Sequence, residues 1–412
     1  MHQKPFSTAG EHRDSALSIL HPVMLVGKGA FGLGPVALNL AKEQNILGCD
    51  ARIWCFDTQD EITWASGQSG LPSGNITGFP LSGPRKLWFS PRMVKAAYGP
   101  EGRAFDIVHQ HCLWTSCSLA TNILRRKQGI PTVIDPQGSL NTWAVNNSRL
   151  KKRLALAAYQ RENLENASCI HALADSEVEV FRRFGLSNPI AVIPNGVAED
   201  RLHVTGCPER FRHHVGLKTD ARILLFLSRI TPKKGLPLLI EAIESLGAAS
   251  SGWVLIIAGA DEFNHKAEIK GLLERKKMTA DIRFVGPLYD SLKDDAFAAA
   301  ELFILPSHSE GAPLVVLESL AAGVPVITTT ASPWEELNTR HCGWWVDIST
   351  EALAGALAEA LRLPAEKLAE MGRRGHRVVT ENYTWTTSAR KTVALYHWLL
   401  GASGKPDFVV TG

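Results

Sequence analysis

Short apolar runs recur along this chain, separated by longer stretches in which apolar residues return every three or four positions. The first pattern suits buried parallel strands and the second suits helices with one covered face, so their alternation predicts doubly wound α/β domains. Strands are predicted to begin at 22–26 and to follow at 51–56, 107–109, 132–135 and 191–194. After a polar, aperiodic stretch at 199–216, read as a linker, the pattern restarts with strands at 223–228, 254–258, 282–285, 302–305 and 324–328. Helices are predicted at 35–44, 236–246, 314–322 and 389–400, the last following the turn Tyr383-Thr384-Trp385. Two Rossmann-like halves result, spanning 1–200 and 201–388, followed by the last helix in 389–412.

A chain of 412 residues is long enough for two cores, and 45% apolar with 21% charged residues fits a globular protein. No run is long and apolar enough to span a bilayer, and the start lacks a basic segment followed by an apolar one, so a cytoplasmic location is expected. The seven cysteines are scattered, with no C-x-x-C pair and no zinc spacing, and are read as reduced thiols.

A net charge of +3 conceals a basic block. Residues 81–160 hold twelve Lys/Arg against three acids, interleaved with Trp88, Phe89, Trp114 and Trp143. Such a block suits an anionic membrane surface, which would place the protein peripherally on the inner face of the plasma membrane; a solvated face of two helices is the other reading. No recognition motif accompanies the charge, so nucleic acid is not an expected partner.

The densest chemistry lies at 306–328. Glu310 sits in a turn and Glu318 on the helix that follows, with Gly311 in the turn and Pro313 suited to the first helical position. The free amides of Leu314 and Val315 would then face the turn, where the helix dipole favours an anion such as phosphate. Arg229 and Lys234 follow the strand at 223–228 and point two cations at the same crevice, while Lys233 is read as solvated. The loop 27–34 is glycine-rich, and Gly32 and Gly34 would let backbone approach a ligand; a tight turn or a dinucleotide loop reads the same way. Asp57, at the end of the second strand, fits the ribose contact of an NAD enzyme. His109 and His111 share one side of a strand end, His111 being the candidate for chemistry and His109 for structure. Gln137, Ser139 and Trp143 follow another strand end, where loops select ligands.

The seven residues between Glu310 and Glu318 match the E-x7-E signature of retaining glycosyltransferases of family 4, and the chain resembles that family. The family often has Gly where this chain has Pro313. Arg229 and Lys234 match its R-x4-K element, 106–111 its D-x-x-H-x-H element, and Asn195-Gly196 its interdomain turn. The segment 136–153, Pro333 to Leu337 and Gly343 to Val346 resemble stretches of transferases that build bacterial surface polysaccharides.

The resemblance implies a GT-B fold, with an N-terminal acceptor domain and a C-terminal donor domain facing across a cleft, and with the helix of 389–412 packing back on the first domain. It implies transfer of a sugar, with retention, from a nucleotide-diphosphate sugar to a hydroxyl on a glycan or lipid-linked acceptor in exopolysaccharide or lipopolysaccharide synthesis. Glu310 and His111 would lie beside the sugar, Glu318 would hold the ribose, and Arg229, Lys234, Gly311, Leu314, Val315, Gly32 and Gly34 would meet the donor. Gln137, Ser139 and Trp143 would meet the acceptor. No D-x-D motif is present, so neither a metal nor another cofactor is expected. A sugar-nucleotide epimerase, an NAD-linked oxidoreductase and a non-catalytic glycan-binding protein at a membrane are the competing readings.

Overall fold

The structure, a computed structural model, describes residues 16–30, 32–140, 155–203, 205–218, 220–278 and 280–412. Its first half is built on β1 (Ser18–Pro22), β2 (Asp50–Cys55), β3 (Ile76–Gly78), β4 (Ile107–Gln110), β5 (Thr132–Ile134), β6 (Cys169–Ala172) and β7 (Ile190–Val192). Its second half uses β8 (Arg222–Leu227), β9 (Trp253–Ala258), β10 (Asp281–Gly286), β11 (Leu302–Leu305), β12 (Val326–Thr329) and β13 (Gly343–Val346), and the chain ends in β14 (Val409–Val410). Among the described residues the sheets run β14-β7-β6-β5-β4-β1-β2-β3 and β10-β9-β8-β11-β12-β13. Every pairing is parallel except β14 with β7.

Burial on both faces explains the continuous apolar strands: β4, β6, β9, β11 and β12 are buried at every position. The strand order reverses beside β1 in one sheet and beside β8 in the other, so both sheets open their ligand crevices where those strands end.

Several elements differ from the sequence reading. The first strand ends at Pro22, where it was expected to begin, because residues 17–26 are one apolar run whose end only pairing with β2 defines. The expected linker at 199–216 contains a helix, Pro208–His214, whose Phe211 is fully buried in the second core. Pro313 caps its helix at φ −67° and ψ 113° instead of entering it. β3, β6, β13 and β14 were not foreseen; β14 is two residues long and exists because β7 offers it an edge.

The chain passes between the halves twice, and the passes are bonded together. Val197 N–H donates to Tyr383 O at 2.8 Å and Trp385 N–H to Val197 O at 3.1 Å. A Cβ on Gly196 would lie 2.3 Å from Trp385 N, so only glycine permits this approach. The helix Trp385–Leu399 then lies on Leu33–Ile46, burying Trp385 and Ala389 against Val36 and Leu40. Its Leu395 and Tyr396 complete the first half's core.

Candidate functional site

The turn carrying Glu310 is clamped on both sides before any ligand arrives. Thr328 and Thr329 on β12 donate their hydroxyls to Leu305 O and Ser307 O, at 2.8 and 2.5 Å, and Glu310 N–H donates to Ala331 O at 2.9 Å. From the other side, His308 N–H donates to Lys233 O at 2.8 Å. Gly235, at φ 69°, lies so close to this turn that a Cβ there would be 1.9 Å from Pro306 O. The loops after β8 and β11 therefore form one rigid unit.

That unit brings Lys234 and Glu310 together. Nζ lies 2.5 Å from Oε1, with 9% and 8% of the two side chains exposed, and the Ser307 hydroxyl donates to the same oxygen at 2.6 Å. Lys233 is half-buried, not solvated as the sequence suggested. Burial pushes its pKa down, Glu310 opposes this, and the neighbouring charges of Lys234 and Arg229 push it further down. Arg229 stands beside them with its Nη1 2.9 and 3.0 Å from the two Glu262 carboxylate oxygens. A diphosphate here would meet a cluster of cations whose charges are already oriented by carboxylates.

Gly311, Leu314 and Val315 continue the same wall, all half-buried at the start of the helix Leu314–Ala321. Glu318, one turn on, accepts from Lys293 Nζ at 2.6 Å. Both line a cleft of about 1140 Å³ between the halves, floored by Gly196, Val197 and Trp385 and walled opposite by Lys28, Asn39, Lys42 and Trp64. Leu314 lines it too, whereas Glu310, in the loop leading up to that helix, and Arg229 and Lys234, in the loop after β8, lie outside its lining.

The N-terminal wall is set by its glycine loop. Asp57 Oδ2 accepts from Val26 N–H at 2.5 Å and Gly27 N–H at 3.3 Å, so it is spent on the loop and is not presented to an NAD ribose. Burial raises its pKa, against the two amides that favour its charge. Gly32 caps the Leu33–Ile46 helix at φ 78°, and Gly34 is needed for packing, since a Cβ there would sit 2.5 Å from Ala30 Cβ and 2.7 Å from Leu25 O. Gly34 thus has a structural reason and is buried. Gln137, at φ 48°, and Ser139 are half-buried after β5. A Cβ on Gly311 would lie 3.4 Å from Gly138 N, so this loop and the Glu310 turn touch outside the cleft's lining. Trp143 lies outside the described residues.

His111 is placed differently from expectation. Its ring is fully buried, with Nε2 2.8 Å from His21 Nδ1 and Nδ1 3.2 Å from Asp135 Oδ2, and so does not reach the cleft. The side chains at a strand's end point alternately into the crevice and into the helix layer, and here the C-terminal helix covers them. His109 belongs to the same buried group, bonded to Tyr396 and His171. Trp344 is buried as well, and Trp345 donates its Nε1–H to Ser332 O at 2.7 Å.

Sequence reasoning missed Ser307, Glu262, Lys293 and Glu177. Glu262 and Lys293 reach the site only through tertiary contacts, whereas Ser307 stands three residues before Glu310 in the same turn. Glu177 was legible as a helix-start glutamate, three residues after Ala174; it accepts from Leu173 N–H at 2.8 Å, and burial pushes its carboxyl up to about 7. Part of the basic block is also neutralised, because Arg125 and Arg126 both pair with Glu162. Arg85, Lys86, Leu87, Phe89, Arg92, Lys95 and Tyr98 remain exposed together. All seven cysteines are free thiols, and among the described residues no helix is long and apolar enough to cross a membrane.

The chain is similar to known proteins in sequence and in fold. The chain is 25% identical over 403 residues, 94% of its own length and 95% of the relative's, to the GDP-mannose:cellobiosyl-diphosphopolyprenol alpha-mannosyltransferase of Komagataeibacter xylinus. It is 26% identical over 216 residues, covering 50% of this chain and 56% of the relative, to the lipopolysaccharide glucosyltransferase WaaG of Escherichia coli. Among solved structures, the sucrose-phosphate synthase of Thermosynechococcus elongatus superposes with a TM-score of 0.76 at 19% identity, covering 94% of this chain and all of that one. Anabaena HepE in complex with UDP-glucose superposes at 0.74 and 18% identity, covering 92% and 99%. These are GT-B architectures, and the two sheets described above are that fold. The family model for the glycosyl transferase 4-like domain matches residues 31–196 and that for glycosyl transferases group 1 matches 209–378; with one model on each half, the chain belongs to the family 4-like, group 1 glycosyltransferases.

Proposed function

We propose that the protein transfers a sugar, with retention of anomeric configuration and without a metal, from a nucleotide-diphosphate sugar to a hydroxyl of a glycan or lipid-linked acceptor in surface-polysaccharide synthesis. The observation that carries this reading is the buried Lys234–Glu310 pair ahead of the amino end of the Leu314–Ala321 helix, with the adjoining Gly311 packed against the Gln137-Gly138 loop. Lys234, Arg229 and the amides of Leu314 and Val315 can neutralise a departing diphosphate, which is the task a metal performs elsewhere. Glu318 offers two oxygens to a ribose, one of them now held by Lys293.

Glu310 is placed to receive the sugar hydroxyls and the positive charge that develops at the anomeric carbon. Gly32 lets the first-half loop approach the phosphates, and Gln137 and Ser139 meet the acceptor. In this reading residues 1–200 are the acceptor half, 201–388 the donor half, and the last helix fastens them. A donor of the UDP- or GDP-sugar class is supported by the relatives' own names, as is a diphosphate lipid acceptor. The Ser307 hydroxyl is spent on Glu310 and Glu310 on Lys234, so a front-face route with the leaving phosphate assisting the acceptor's proton fits better than a covalent intermediate.

The test is nucleotide release by the purified protein from UDP-, GDP- and ADP-sugars, with and without acceptor, in the presence of EDTA, with the product's anomer read by NMR. Release from no donor, loss of activity in EDTA, or an inverted product would each remove the corresponding part of the reading. The exposed patch of Arg85, Lys86, Arg92 and Lys95 with Leu87, Phe89 and Tyr98 supports a peripheral position on an anionic, cytoplasm-facing membrane. Sedimentation with anionic but not neutral vesicles, lost in Arg85→Glu/Lys86→Glu, tests that part.

A further inference from the structure

Beneath the acceptor half's strand ends lies a continuous chain of hydrogen bonds closed off from solvent. It starts at Ile193 O, which accepts from His171 Nε2 at 2.7 Å. His171 Nδ1 meets His109 Nε2 at 3.1 Å, and His109 Nδ1 meets the Tyr396 hydroxyl at 2.6 Å. Tyr396 meets the Gln44 amide at 3.2 Å, and the other end of that amide meets His21 Nε2 at 2.7 Å. His21 Nδ1 then meets His111 Nε2 at 2.8 Å, and His111 Nδ1 ends the chain on Asp135 Oδ2 at 3.2 Å. Two trios of these groups, His21 with His109 and His111 and His109 with Asp135 and His171, lie near enough for one ion. Every ring nitrogen is already bonded, however, so the groups are read as a hydrogen-bond chain and not as ligands.

The chain has an acceptor at each end, a carbonyl and a carboxylate. Between them stand His171, His109, Tyr396, Gln44, His21 and His111, six groups that make seven links. Each neutral group supplies one hydrogen to the chain, whichever tautomer or amide orientation it takes, so the neutral set is one hydrogen short. A link without a hydrogen would face two lone pairs in a buried site, at a cost of about 1–3 kcal/mol.

The position of the missing hydrogen follows from directions. Thr392 donates its hydroxyl to Ala389 O at 2.9 Å, so it accepts from Gln44 Nε2–H at 3.0 Å, which fixes the amide with Oε1 toward His21. His21 then donates from Nε2 and accepts at Nδ1, His111 donates from Nε2, and its Nδ1 needs a second hydrogen to reach Asp135. On the other branch Tyr396 donates to His109, His109 to His171 and His171 to Ile193 O, with all three neutral.

We infer that His111 is held as a buried imidazolium against the Asp135 carboxylate, and that the pair positions Gln137 beside the Glu310 turn for the acceptor. Asp135 also accepts from Gln137 N–H at 3.2 Å and Gln137 Nε2–H at 2.5 Å, which holds Gln137 in its left-handed backbone. The charges facing the pair agree. Burial alone would raise the pKa of Asp135, but His171, His111 and Gln137 more than offset it and hold it below its ordinary value. Burial, with His111 opposite, keeps His21 neutral at about 3, and burial and the other rings hold His109 well below its usual range. His171 is lowered by burial against the pull of Asp135. The other acid nearby is Glu177, whose carboxyl burial raises to about 7.

The positioning role rests on the transferase reading; the protonation state does not. Ring-15N histidine NMR of the full chain tests it at pH 8, with His111 assigned by the signals lost in His111→Gln. Expected are two protonated nitrogens on His111 and one bare Nδ1 on each of His21, His109 and His171; Asp135→Asn should return His111 to a neutral tautomer. A neutral His111 in the unaltered protein, or an unchanged His111 spectrum in Asp135→Asn, overturns the inference, and the first outcome needs no variant. For positioning, Asp135→Asn and Gln137→Ala should each raise the acceptor KM roughly tenfold, leave the donor KM unchanged, and fail to add in the double variant. Additive effects, or equal effects on both substrates, overturn the positioning role; a spectrum as expected in a protein that transfers no sugar overturns the function and leaves the proton in place.

Discussion

Replacing Lys234 by Met keeps the length of a side chain that is 9% exposed but removes the ammonium 2.5 Å from Glu310 Oε1. The Glu310 carboxylate, 8% exposed, then keeps the Ser307 hydroxyl but loses its nearest countercharge. Removing one partner of a buried ion pair costs about 3–5 kcal/mol, mostly the penalty of stranding the other charge. For a half of this size each kcal/mol moves the midpoint by about 2–4 °C, so the second half should melt at least roughly 6 °C lower. Glu310→Gln alone should cost a similar amount by stranding Lys234. The double variant buries no unmatched charge between the two positions, so it should be less destabilised than the sum by about 2–3 kcal/mol. Calorimetry of the four proteins closes the cycle. Additivity within about 0.5 kcal/mol would refute the reasoning, because it would mean that the two groups do not hold each other's charge.

Gly235→Ala should separate the loops after β8 and β11, since its Cβ would fall 1.9 Å from Pro306 O on a backbone at φ 69°; a loss of at least about 2 kcal/mol and weaker nucleotide binding are expected by calorimetry. Arg229→Ala should lower kcat/KM by about a hundredfold while leaving the melting point within a few degrees, as its partner Glu262 is partly exposed; an unchanged kcat/KM would take Arg229 out of the donor site. Glu177 gives a pH dependence. Its folded pKa, about 7, lies above its ordinary value of 4.5, so its contribution is fully present below about pH 4.5 and is lost as pH rises through about 7. That difference amounts to roughly 3 kcal/mol, and Glu177→Gln should therefore flatten the decline in melting temperature between pH 5 and pH 8.

The alternation of apolar runs and helical periods was enough to find most strands and the helix Leu236–Leu246, because burial on both faces of a parallel sheet writes itself into consecutive residues. It could not place the end of β1 inside one apolar run, nor find β14, which has no pattern of its own and forms only against β7. The same division runs through the site. Glu310, Arg229 and Lys234 were legible because each follows a strand end, and Glu318 because it lies at a fixed spacing from Glu310 on the next helix; local spacing carries that information.

What the sequence could not carry is which charge meets which. Lys234 and Glu310 are 76 residues apart, Lys293 and Glu318 are 25 apart, and Arg229 and Glu262 are 33 apart, so their pairing is a property of the closed sheet. His111 shows the difference most sharply. As a residue in D-x-x-H-x-H it reads as a group beside the substrate, but His21 and Asp135 arrive from other parts of the chain and complete its hydrogen bonds, with Gln44, Thr392 and Tyr396 bonded in turn behind His21. The sequence by itself determined two parallel sheets and the strand ends that bear polar residues, because period and burial are local. The tertiary structure alone decided which of those residues face the cleft and which carry a buried charge, because exposure and electrostatics depend on neighbours that the chain brings together only on folding.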